Sequence, residues 1–599
     1  MHCEGWKVGL TLLSKKIGLM YVSRNPYLIG KALKNFLLAS ILTMSVQQLN
    51  VTIDGIIVSH FVGPDALSAT SLYMPVSLAV SSLVALFGMG ATIIASRYLG
   101  ELNRDKAERT LSTAVLSVIA VGVFLGVISL LCGDSIVSLL CHEERISAPF
   151  KSYLTVMLGC SAITMFGMVT NQMVNIDGHP EHVTKAMLVS AIANLTLDLL
   201  FVAVFKWSIA GSAWATILST ILSSGLLWSH LLSYRCSFRI RPFKFFSLDC
   251  LKTNMLQGAS LVAGNLILML MFATLNNIIQ DKQGADGMFA FAICLNLLTI
   301  GMAFTSGIGS ALMSIGGFLN GQRDYQGLRM LVNRGIALLE ISLLVIVFVI
   351  QLFPGLVSGL FGADTAELQL FTNSVLRIFS WILPCVLLVI LLSNVYQLLG
   401  KLILVPVSVL TFPLVLIPSL LLWAGLAGNG NIWYAFPQTG VTVLLFTLVI
   451  TGIVRRKEPY RQRLTLVPDI CDRKILDFSV KADKESMTEA LPEITKFLAT
   501  VGIDPVLSND VNLCVEEVML NIVEHSGRTG ARHYFDVNIS LSDDTVIASV
   551  KDDGRAFNPV KCSEAQKGNG LKILHNFCPD IEYKYMYGQN ITFMKWQMN

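Results

Sequence analysis

The chain has 599 residues, of which 53% are hydrophobic and 14% are charged, with a formal net charge of +4 and a mean hydropathy of +0.64. This composition excludes an ordinary soluble protein and places most of the chain in a lipid bilayer. Long stretches before Arg455 lack ionisable groups, whereas the residues after it carry them throughout. The averages therefore describe two regions of different chemistry.

The region before Arg455 contains apolar segments of the length that a membrane-spanning helix needs, about 20 residues. The first segment contains Gln47, Gln48 and Asn50 and has no small-residue cleavage site, so it does not resemble a cleaved signal peptide. We predict twelve spans, at 34–58, 70–96, 110–132, 151–176, 183–205, 208–231, 254–279, 287–318, 328–352, 370–397, 402–424 and 431–454.

Basic residues sort the connections between these spans into two sides. One connection, at 97–109, contains Arg97, Arg104, Lys106 and Arg109. A basic cluster that begins at Arg455 follows the last span. The connections on the other side have almost no Lys or Arg, namely 59–69, 353–369 and 425–430. The positive-inside rule therefore predicts a multi-pass protein of the plasma (inner) membrane with both termini in the cytoplasm.

The two sets of six spans carry similar connections. R-Y-L-G-E-L-N-R-D-K-A-E-R at 97–109 has a counterpart in G-F-L-N-G-Q-R-D-Y-Q-G-L-R at 317–329. Paired halves are typical of secondary transporters, in which two bundles rock about a central cavity. Coincidental resemblance of short cytoplasmic turns is the alternative.

Carboxylates inside the predicted spans need a physical reason, because each costs about 2.5–3.5 kcal/mol at the bilayer centre. Asp54 and Asp198 are such residues, and Asn194 stands four positions before Asp198, on the same helical face. Asn171 and Thr216 can add oxygen ligands from neighbouring spans. Oxygens of this kind suit Na⁺, and a desolvated carboxylate suits a proton. The alternative is that these groups only bond to one another between helices.

Glu340 and Arg377 are rival polar groups in the second half. We rank them lower, because each is expected nearer a helix end, where it can be satisfied locally or reach the membrane surface.

Three motifs resemble the multidrug and toxic compound extrusion (MATE) transporters over residues 34 to 454. They are I-D-G-I-I-V-S-H-F-V-G-P-D-A-L-S-A at 53–69, N-L-T-L-D-L-L-F at 194–201 and G-S-A-W-A-T-I-L-S at 211–219. The resemblance implies a polytopic α-helical membrane protein with twelve helices in two six-helix lobes. It also implies export of organic, often cationic, compounds by antiport against H⁺ or Na⁺.

The resemblance further implies a cation site in the first lobe. The motif positions of that site are occupied here by Asp54, Asn171, Asn194, Asp198 and Thr216. Some branches of the family carry an acidic residue in the seventh helix, but G-A-S-L-V-A-G-N-L-I-L-M-L-M-F at 258–272 has none. We therefore expect the coupling of ion and substrate to lie in the first lobe.

The region after about Leu476 changes to a mixture of helical and strand-like patterns, which predicts an α+β domain. The helix-like runs are Lys484 to Thr500 and Ser508 to His525. The strand-like runs are Tyr534 to Leu541, Thr545 to Lys551, I-E-Y-K-Y-M at 581–586 and I-T-F-M-K-W at 591–596.

Residues suited to nucleotide binding recur in this region. Glu517 and Asn521 share a helix face, where a carboxylate able to act as a base lies beside an amide oxygen able to bind Mg²⁺. Asp552 can accept the adenine amino hydrogen, and Gly554 permits close approach of a ligand. Gly568 and Gly570 open a helix-like G-N-G-L-K-I-L, whose free N–H groups favour phosphate.

The order and separation of these motifs resemble the GHKL (Bergerat-fold) ATPases, most closely the short anti-sigma-factor serine kinases. The resemblance implies ATP and Mg²⁺ as cofactors, Glu517 as catalytic base, Asn521 as the Mg²⁺ ligand and Asp552 as the adenine contact. Ala556 replaces a glycine that many members carry, so ATP binding is the firmer expectation and turnover the weaker one. No P-loop of an ATP-driven pump is present in the sequence.

The twelve cysteines form no C-x-x-C pair and no His/Cys cluster with zinc spacing, which argues against a metal or redox site. The interpretation we prefer is a cation-coupled exporter of small molecules, embedded in the bilayer and regulated by a cytoplasmic ATP-binding domain. The alternative is a membrane-anchored, anti-sigma-like serine kinase whose transporter half is a sensor. A cytoplasmic protein partner of the tail is expected in either case, and no nucleic acid.

These interpretations divide the chain into six parts. They are an N-terminal cytoplasmic segment at 1–33, the first lobe at 34–231, an inter-lobe loop at 232–253, the second lobe at 254–454, a basic linker at 455–475 and the ATP-binding domain at 476–599.

Overall fold

The structure is a computed structural model, which describes residues 25–62, 73–140, 144–233, 236–240, 246–360, 365–468, 474–525, 533–542, 544–556, 558, 574–578 and 580–598. The chain divides into two compact units. The larger unit comprises Phe36–Gly321 and Val332–Pro468. The smaller unit takes its described residues from three separate parts of the chain, 25–35, 322–331 and 474–598.

The larger unit is helical, because its sequence consists of apolar segments whose backbone groups must be bonded within each segment in lipid. Its first eight helices are α1 (Tyr27–Phe61, beginning in the smaller unit), α2 (Met74–Val84), α3 (Gly90–Gly100), α4 (Arg104–Leu140), α5 (Glu144–Gly159), α6 (Ser161–Ile176), α7 (Pro180–Asp198) and α8 (Ser208–Leu231). The rest are α9 (Leu248–Gly321), α10 (Tyr325–Leu352), α11 (Pro354–Leu360), α12 (Ala366–Phe379), α13 (Ile382–Leu398), α14 (Leu404–Ala427) and α15 (Ala435–Lys457).

Among the described residues, 8 helices are long and apolar enough to cross a membrane, or up to 10 if each bent helix pair is one span. This supports a multi-pass membrane protein. The first and seventh of the twelve predicted spans are not among those ten, so the number twelve is not reproduced by the described residues.

Two predicted spans are broken rather than continuous. The span predicted at 151–176 consists of α5 and α6, which meet at 53°. The span predicted at 370–397 consists of α12 and α13, which meet at 42°. Pro384 lies in the first turn of α13, where its missing N–H interrupts no helical hydrogen bond, so it favours a new helix start there.

The connection predicted between the seventh and eighth spans is helical instead of a loop. α9 runs for 74 residues, which at about 1.5 Å per residue is about 110 Å, far more than one bilayer. The backbone of Gly258 lies against Ala85, however, and that of Gly321 lies against Gly100. Both ends of α9 therefore contact one short stretch of the chain, so the element reverses direction and accommodates two crossings.

π-helical turns interrupt two of the long helices. One occupies Ala85–Met89 between α2 and α3, and the other occupies Leu199–Val204, directly after Asp198. Such single turns occur often at functional sites, because they re-aim the side chains next to them.

The smaller unit contains a five-stranded antiparallel sheet and two helices. The strands are β1 (Ile475–Lys481), β2 (Tyr534–Leu541), β3 (Thr545–Asp552), β4 (Asp580–Met586) and β5 (Gln589–Gln597), in the order β1-β2-β3-β5-β4. The helices are α16 (Lys484–Thr500) and α17 (Pro505–His525).

Alternating strand residues and one face of each helix form a shared apolar core, with Phe478, Val537 and Ala548 from the sheet against Ile494 and Met519 from the helices. The α+β prediction is confirmed. The bounds of α16 and β2 are those predicted, while α17 begins three residues earlier, because Asp504 Oδ2 accepts hydrogen bonds from the N–H groups of its first turn.

Candidate cation and nucleotide sites

Helices α1, α7 and α8 bring polar groups together in the larger unit. Ser212 Oγ donates a hydrogen bond to Asp54 Oδ1 at 2.8 Å, and Asn194 Nδ2 donates to Thr216 Oγ1 at 3.4 Å. Asn194 and Asp198 are buried, as their spacing on one face of α7 predicts. The carboxyl groups of Asp54 and Asp198 lie close enough to interact.

Asp198 is the least satisfied member of this group. Its side chain is 0% exposed, and neither carboxyl oxygen has a well-formed hydrogen bond to a described residue. Burying an ionised carboxylate without a partner costs several kcal/mol, about as much as the group can gain by taking up a proton or binding a cation. The geometry therefore suits reversible binding of a small cation between Asp54 and Asp198.

Asn171 stands apart from the other four predicted residues. It lies half-buried on α6, and no hydrogen bond joins it to Asp54, Asn194, Asp198 or Thr216 among the described residues.

Sequence reasoning missed two groups near the paired carboxylates. Ser212 stands four residues before Thr216 on α8, and this spacing alone is a signal that could have identified it. Tyr153 on α5 lies close enough to Asp54 and Asp198 for their charges to act on its hydroxyl group, and its ring packs edge to face on Tyr73 at 5.4 Å.

The expectation that Glu340 lies near a helix end is wrong. Glu340 is in the middle of α10, and its Oε1 atom is buried without a hydrogen-bond partner among the described residues. Arg377 lies in the last turn of α12, near a helix end as expected.

The nucleotide motifs lie at one end of the sheet and on α17 in the smaller unit. Glu517 and Asn521 are neighbours on α17, with Asn521 Nδ2 3.5 Å from Glu517 Oε1. Burial raises the pKa of Glu517, and the charges of Glu516 and Glu524 raise it further. A carboxyl group with a raised pKa is a better proton acceptor once it is ionised, which suits a general base.

Asp552 is the last residue of β3, and one of its two carboxyl oxygens accepts hydrogen bonds. Its Oδ1 atom accepts hydrogen bonds from Gly554 N at 2.6 Å and from Asn590 Nδ2 at 3.0 Å. Burial raises the pKa of this carboxyl group, while these two bonds act in the opposite direction. Because both described bonds fall on Oδ1, the geometry fits a carboxylate that offers Oδ2 to an adenine amino group. Gly568 and Gly570 lie outside the described residues.

Asn590, on the neighbouring strand β5, is a further residue of this site that sequence reasoning missed. It stands opposite Asp552 in the β3–β5 register, and its own Oδ1 atom accepts a hydrogen bond from Tyr583 Oη at 2.6 Å. Knowledge of the β3–β5 register would have identified Asn590, but the residues around Asp552 alone do not indicate which residue of β5 lies opposite.

The residues on either side of Asp552 are fixed by distant parts of the chain within the same unit. Lys551 Nζ lies 2.9 Å from Asp324 Oδ2, and both side chains are almost fully buried. Asp553 Oδ2 accepts hydrogen bonds from Tyr27 Oη at 3.2 Å and from Lys31 Nζ. Neither contact is visible in the motif, because the partners are hundreds of residues away.

Comparisons with known proteins agree with both halves of this description. The MatE family model matches residues 39–200 and 261–420, more than half of the chain. The model of the histidine kinase-like ATPase domain matches residues 480–596.

Curated relatives match part of the chain. The multidrug export protein MepA of Staphylococcus aureus is 28% identical over 210 residues, which are 34% of this chain and 45% of MepA. MepA of Staphylococcus saprophyticus is 25% identical over 185 residues, 30% of this chain and 41% of that protein. The chain thus spans about half the length of the curated relatives it matches.

Solved structures show the same fold over most of the chain. An outward-facing multidrug resistance MATE family transporter of the MOP superfamily has a TM-score of 0.66 and 21% identity, covering 71% of this chain and 96% of that chain. A MOP superfamily transporter from Pyrococcus furiosus has a TM-score of 0.64 and 22% identity, with the same coverage. The chain belongs to the MatE family and carries a histidine kinase-like ATPase domain at 480–596.

Proposed function

We propose that this protein is a secondary active exporter of organic, cationic or amphipathic compounds, driven by H⁺ or Na⁺ antiport and regulated by its ATP-binding domain. In this proposal, residues 34–231 and 254–454 are the transport lobes and residues 476–599 bind Mg²⁺ and ATP on the cytoplasmic side of the inner membrane. The names of the MepA relatives support the substrate class, since both are multidrug export proteins.

The observation that carries the proposal is the buried carboxyl group of Asp198 beside Asp54, since neither oxygen of Asp198 has a well-formed hydrogen bond among the described residues. A proton or Na⁺ bound there neutralises a charge that is otherwise costly in this environment. An ion gradient can then supply the energy for export, and no transport-type ATPase motif is needed.

The test is uptake of a fluorescent organic cation, ethidium, into proteoliposomes with an imposed H⁺ or Na⁺ gradient. We expect Asp198→Asn to lose gradient-driven transport, because the amide cannot exchange a proton and carries no charge for Na⁺. Asp134→Asn is the matched control, since the Asp134 side chain is 83% exposed. Asp198→Asn transport that equals the wild type at every pH and Na⁺ concentration contradicts the proposed cation site.

Regulation by the ATP-binding domain is supported by the contacts on both sides of Asp552. The first turns of α1 and the segment before α10 hold Asp553 and Lys551, and α1 is also the helix that carries Asp54. A nucleotide that binds Asp552 and shifts this loop therefore has a continuous helix through which to act on the transport lobe.

Lys31→Gln tests this regulation in the full chain. We expect the variant to bind a fluorescent ATP analogue with nearly unchanged affinity but to lose the effect of nucleotide on transport rate. Lys34→Gln is the control, because Lys34 is exposed on the same helix. An unaltered nucleotide effect in Lys31→Gln contradicts the proposed route.

A second candidate function is phosphorylation of a serine in a partner protein. It is favoured by the pairing of Glu517 with Asn521 and by the raised pKa of Glu517, which suit a base and a Mg²⁺ ligand. Transfer of labelled phosphate to a partner serine by the wild type, and its loss in Glu517→Ala, are the expected results. A Glu517→Ala protein that still phosphorylates the partner contradicts this role.

A further inference from the structure

Three histidines and two carboxylates gather in the larger unit, outside the paired aspartates. Asp177 and His179 lie in the turn between α6 and α7, Glu181 and His182 lie in the first turn of α7, and His230 lies in the last turn of α8. The ring centroids of His179 and His230 are 5.0 Å apart, and those of His182 and His230 are 4.5 Å apart.

The ligand atoms of this cluster already lie near one another. One ligand atom each from Asp177, His179 and His230 falls within 4.8 Å of the other two, and the same is true of His179, Glu181 and His182. His179 belongs to both sets. The cluster is therefore compact enough to become a chelating site through small side-chain rotations.

Part of the cluster has a structural role. Asp177 Oδ1 accepts a hydrogen bond from Ser237 N at 2.7 Å, and Asp177 Oδ2 lies 2.8 Å from His230 Nε2. These bonds fix the segment that follows α8, but they do not explain why His179 and His182 also pack on His230.

We propose that Asp177, His179 and His230 form a transition-metal site, with His182 and Glu181 as neighbouring ligands, and that Zn²⁺ is the ion it suits. Zn²⁺ accepts the combination of imidazole nitrogen and carboxylate oxygen, whereas Mg²⁺ and Ca²⁺ prefer oxygen alone. The Ser237 N–H orients the Asp177 carboxylate, as an outer hydrogen bond does in known metal sites.

The ion has a route into the site. The Asp177 and His230 side chains are 0% and 7% exposed, but His179 is 18% exposed and Glu181 is 53% exposed. The last two residues lie at the surface of the turn, where an ion can first bind and lose water. Once bound, the metal joins the α6–α7 turn to the end of α8.

The expectation of no metal site came from sequence spacing. His179 and His182 are three residues apart, but His230 is on another helix and its approach depends on the packing of α8 against α7. The donor set is therefore a product of the fold and has no local motif.

The test uses the full-length, tag-free protein in detergent, stripped with a chelator and titrated with Zn²⁺ in the absence of nucleotide. We expect one Zn²⁺ per chain, and an affinity at least about tenfold weaker in His179→Gln and in His230→Gln. His575→Gln is the matched control, because His575 is exposed in the smaller unit. Co²⁺ bound in place of Zn²⁺ should give a visible absorption band that His179→Gln lacks.

Hydrogen exchange of the wild type locates the site without any substitution. It therefore tests the proposal even if a histidine variant does not fold. We expect Zn²⁺ to slow exchange at residues 176–182 and 228–238 of the wild type and not at His575. Zn²⁺ binding of equal affinity in the wild type and His179→Gln, or no slowing at those residues, overturns the proposal.

Discussion

Two pairs of aspartates lie in the two units, and they differ in what surrounds them. In the larger unit, Asp198 is buried with no well-formed hydrogen bond to either carboxyl oxygen among the described residues, and the well-formed bond of Ser212 goes to Asp54. In the smaller unit, Asp552 accepts hydrogen bonds from Gly554 and Asn590, and Asp553 accepts them from Tyr27 and Lys31.

The difference separates two uses of a buried carboxylate. A buried carboxylate with no well-formed hydrogen bonds is stabilised most by reversible binding of a cation, and ion coupling requires such reversible binding. A group held by fixed donors keeps its position, which is what recognition of a nucleotide requires. The predictions below test whether the two pairs behave in these different ways.

The largest effect on stability is expected where a buried ion pair is cut. Lys551→Ala removes the buried cation that pairs with Asp324, which should lower the free energy of local unfolding by about 3–5 kcal/mol. Hydrogen exchange of the β2 and β3 amides in the full chain measures this quantity.

The solvent-exposed pair Lys481–Asp483 is the control, since water screens this ion pair and its loss should change stability little. Replacing both members of the buried pair, by Lys551→Met with Asp324→Leu, should recover much of the stability. Equal losses in Lys551→Ala and Lys481→Ala would show that the buried Lys551–Asp324 pair does not stabilise the sheet as described.

Asp552→Asn should weaken nucleotide binding by about 10- to 100-fold, because a hydrogen bond to a charged group contributes about 1.5–3 kcal/mol. Titration with a fluorescent ATP analogue gives the affinity. Asp580→Asn is the control, since Asp580 is exposed at the start of β4. Equal affinities in the two variants would remove Asp552 from the nucleotide site.

Ser212→Ala should have a smaller effect, because it removes one hydrogen bond from Asp54. A neutral hydrogen bond contributes about 0.5–1.5 kcal/mol, so the ion concentration at half-maximal transport should change by about tenfold or less. Ser229→Ala, on the exposed face of the same helix, should change nothing. Loss of all transport in Ser212→Ala would mean that the hydroxyl is a required ligand and not a supporting one.

The pH dependence of nucleotide binding should be the mildest effect. Burial raises the pKa of Asp552, so this carboxyl group takes up a proton at a higher pH than an ordinary Asp, whose pKa is about 3.9. The protonated form is a poorer acceptor, so affinity should fall as the pH is lowered through the raised pKa. Asp552→Asn should not show this fall, and a fall of the same size in that variant would assign it to another group.

The sequence predicts the elements of the smaller unit well, because each has a clear period. β2 alternates apolar and polar residues along the sequence, and α16 has an Asp483 cap and an apolar stripe, so their bounds follow from local chemistry. In the larger unit, apolar length predicts spans but not the bends at Cys160 and Ser380, which depend on packing between helices.

The sites are predicted to the extent that their residues share one element. Asn194 and Asp198 are four apart on α7, and Glu517 and Asn521 are four apart on α17, so each pair follows from the helical period. The partners of Lys551 and Asp553 come from parts of the chain hundreds of residues away, and no local pattern indicates them.

The central claim is that an ion gradient drives export and ATP only regulates it. Its most direct test is ethidium transport by the wild type in proteoliposomes, with an imposed H⁺ or Na⁺ gradient and with or without Mg·ATP on the side of the ATP-binding domain. The account predicts uphill transport with the gradient alone, a rate that changes on addition of Mg·ATP, and no uphill transport with Mg·ATP alone. Uphill transport powered by Mg·ATP in the absence of any gradient would contradict it.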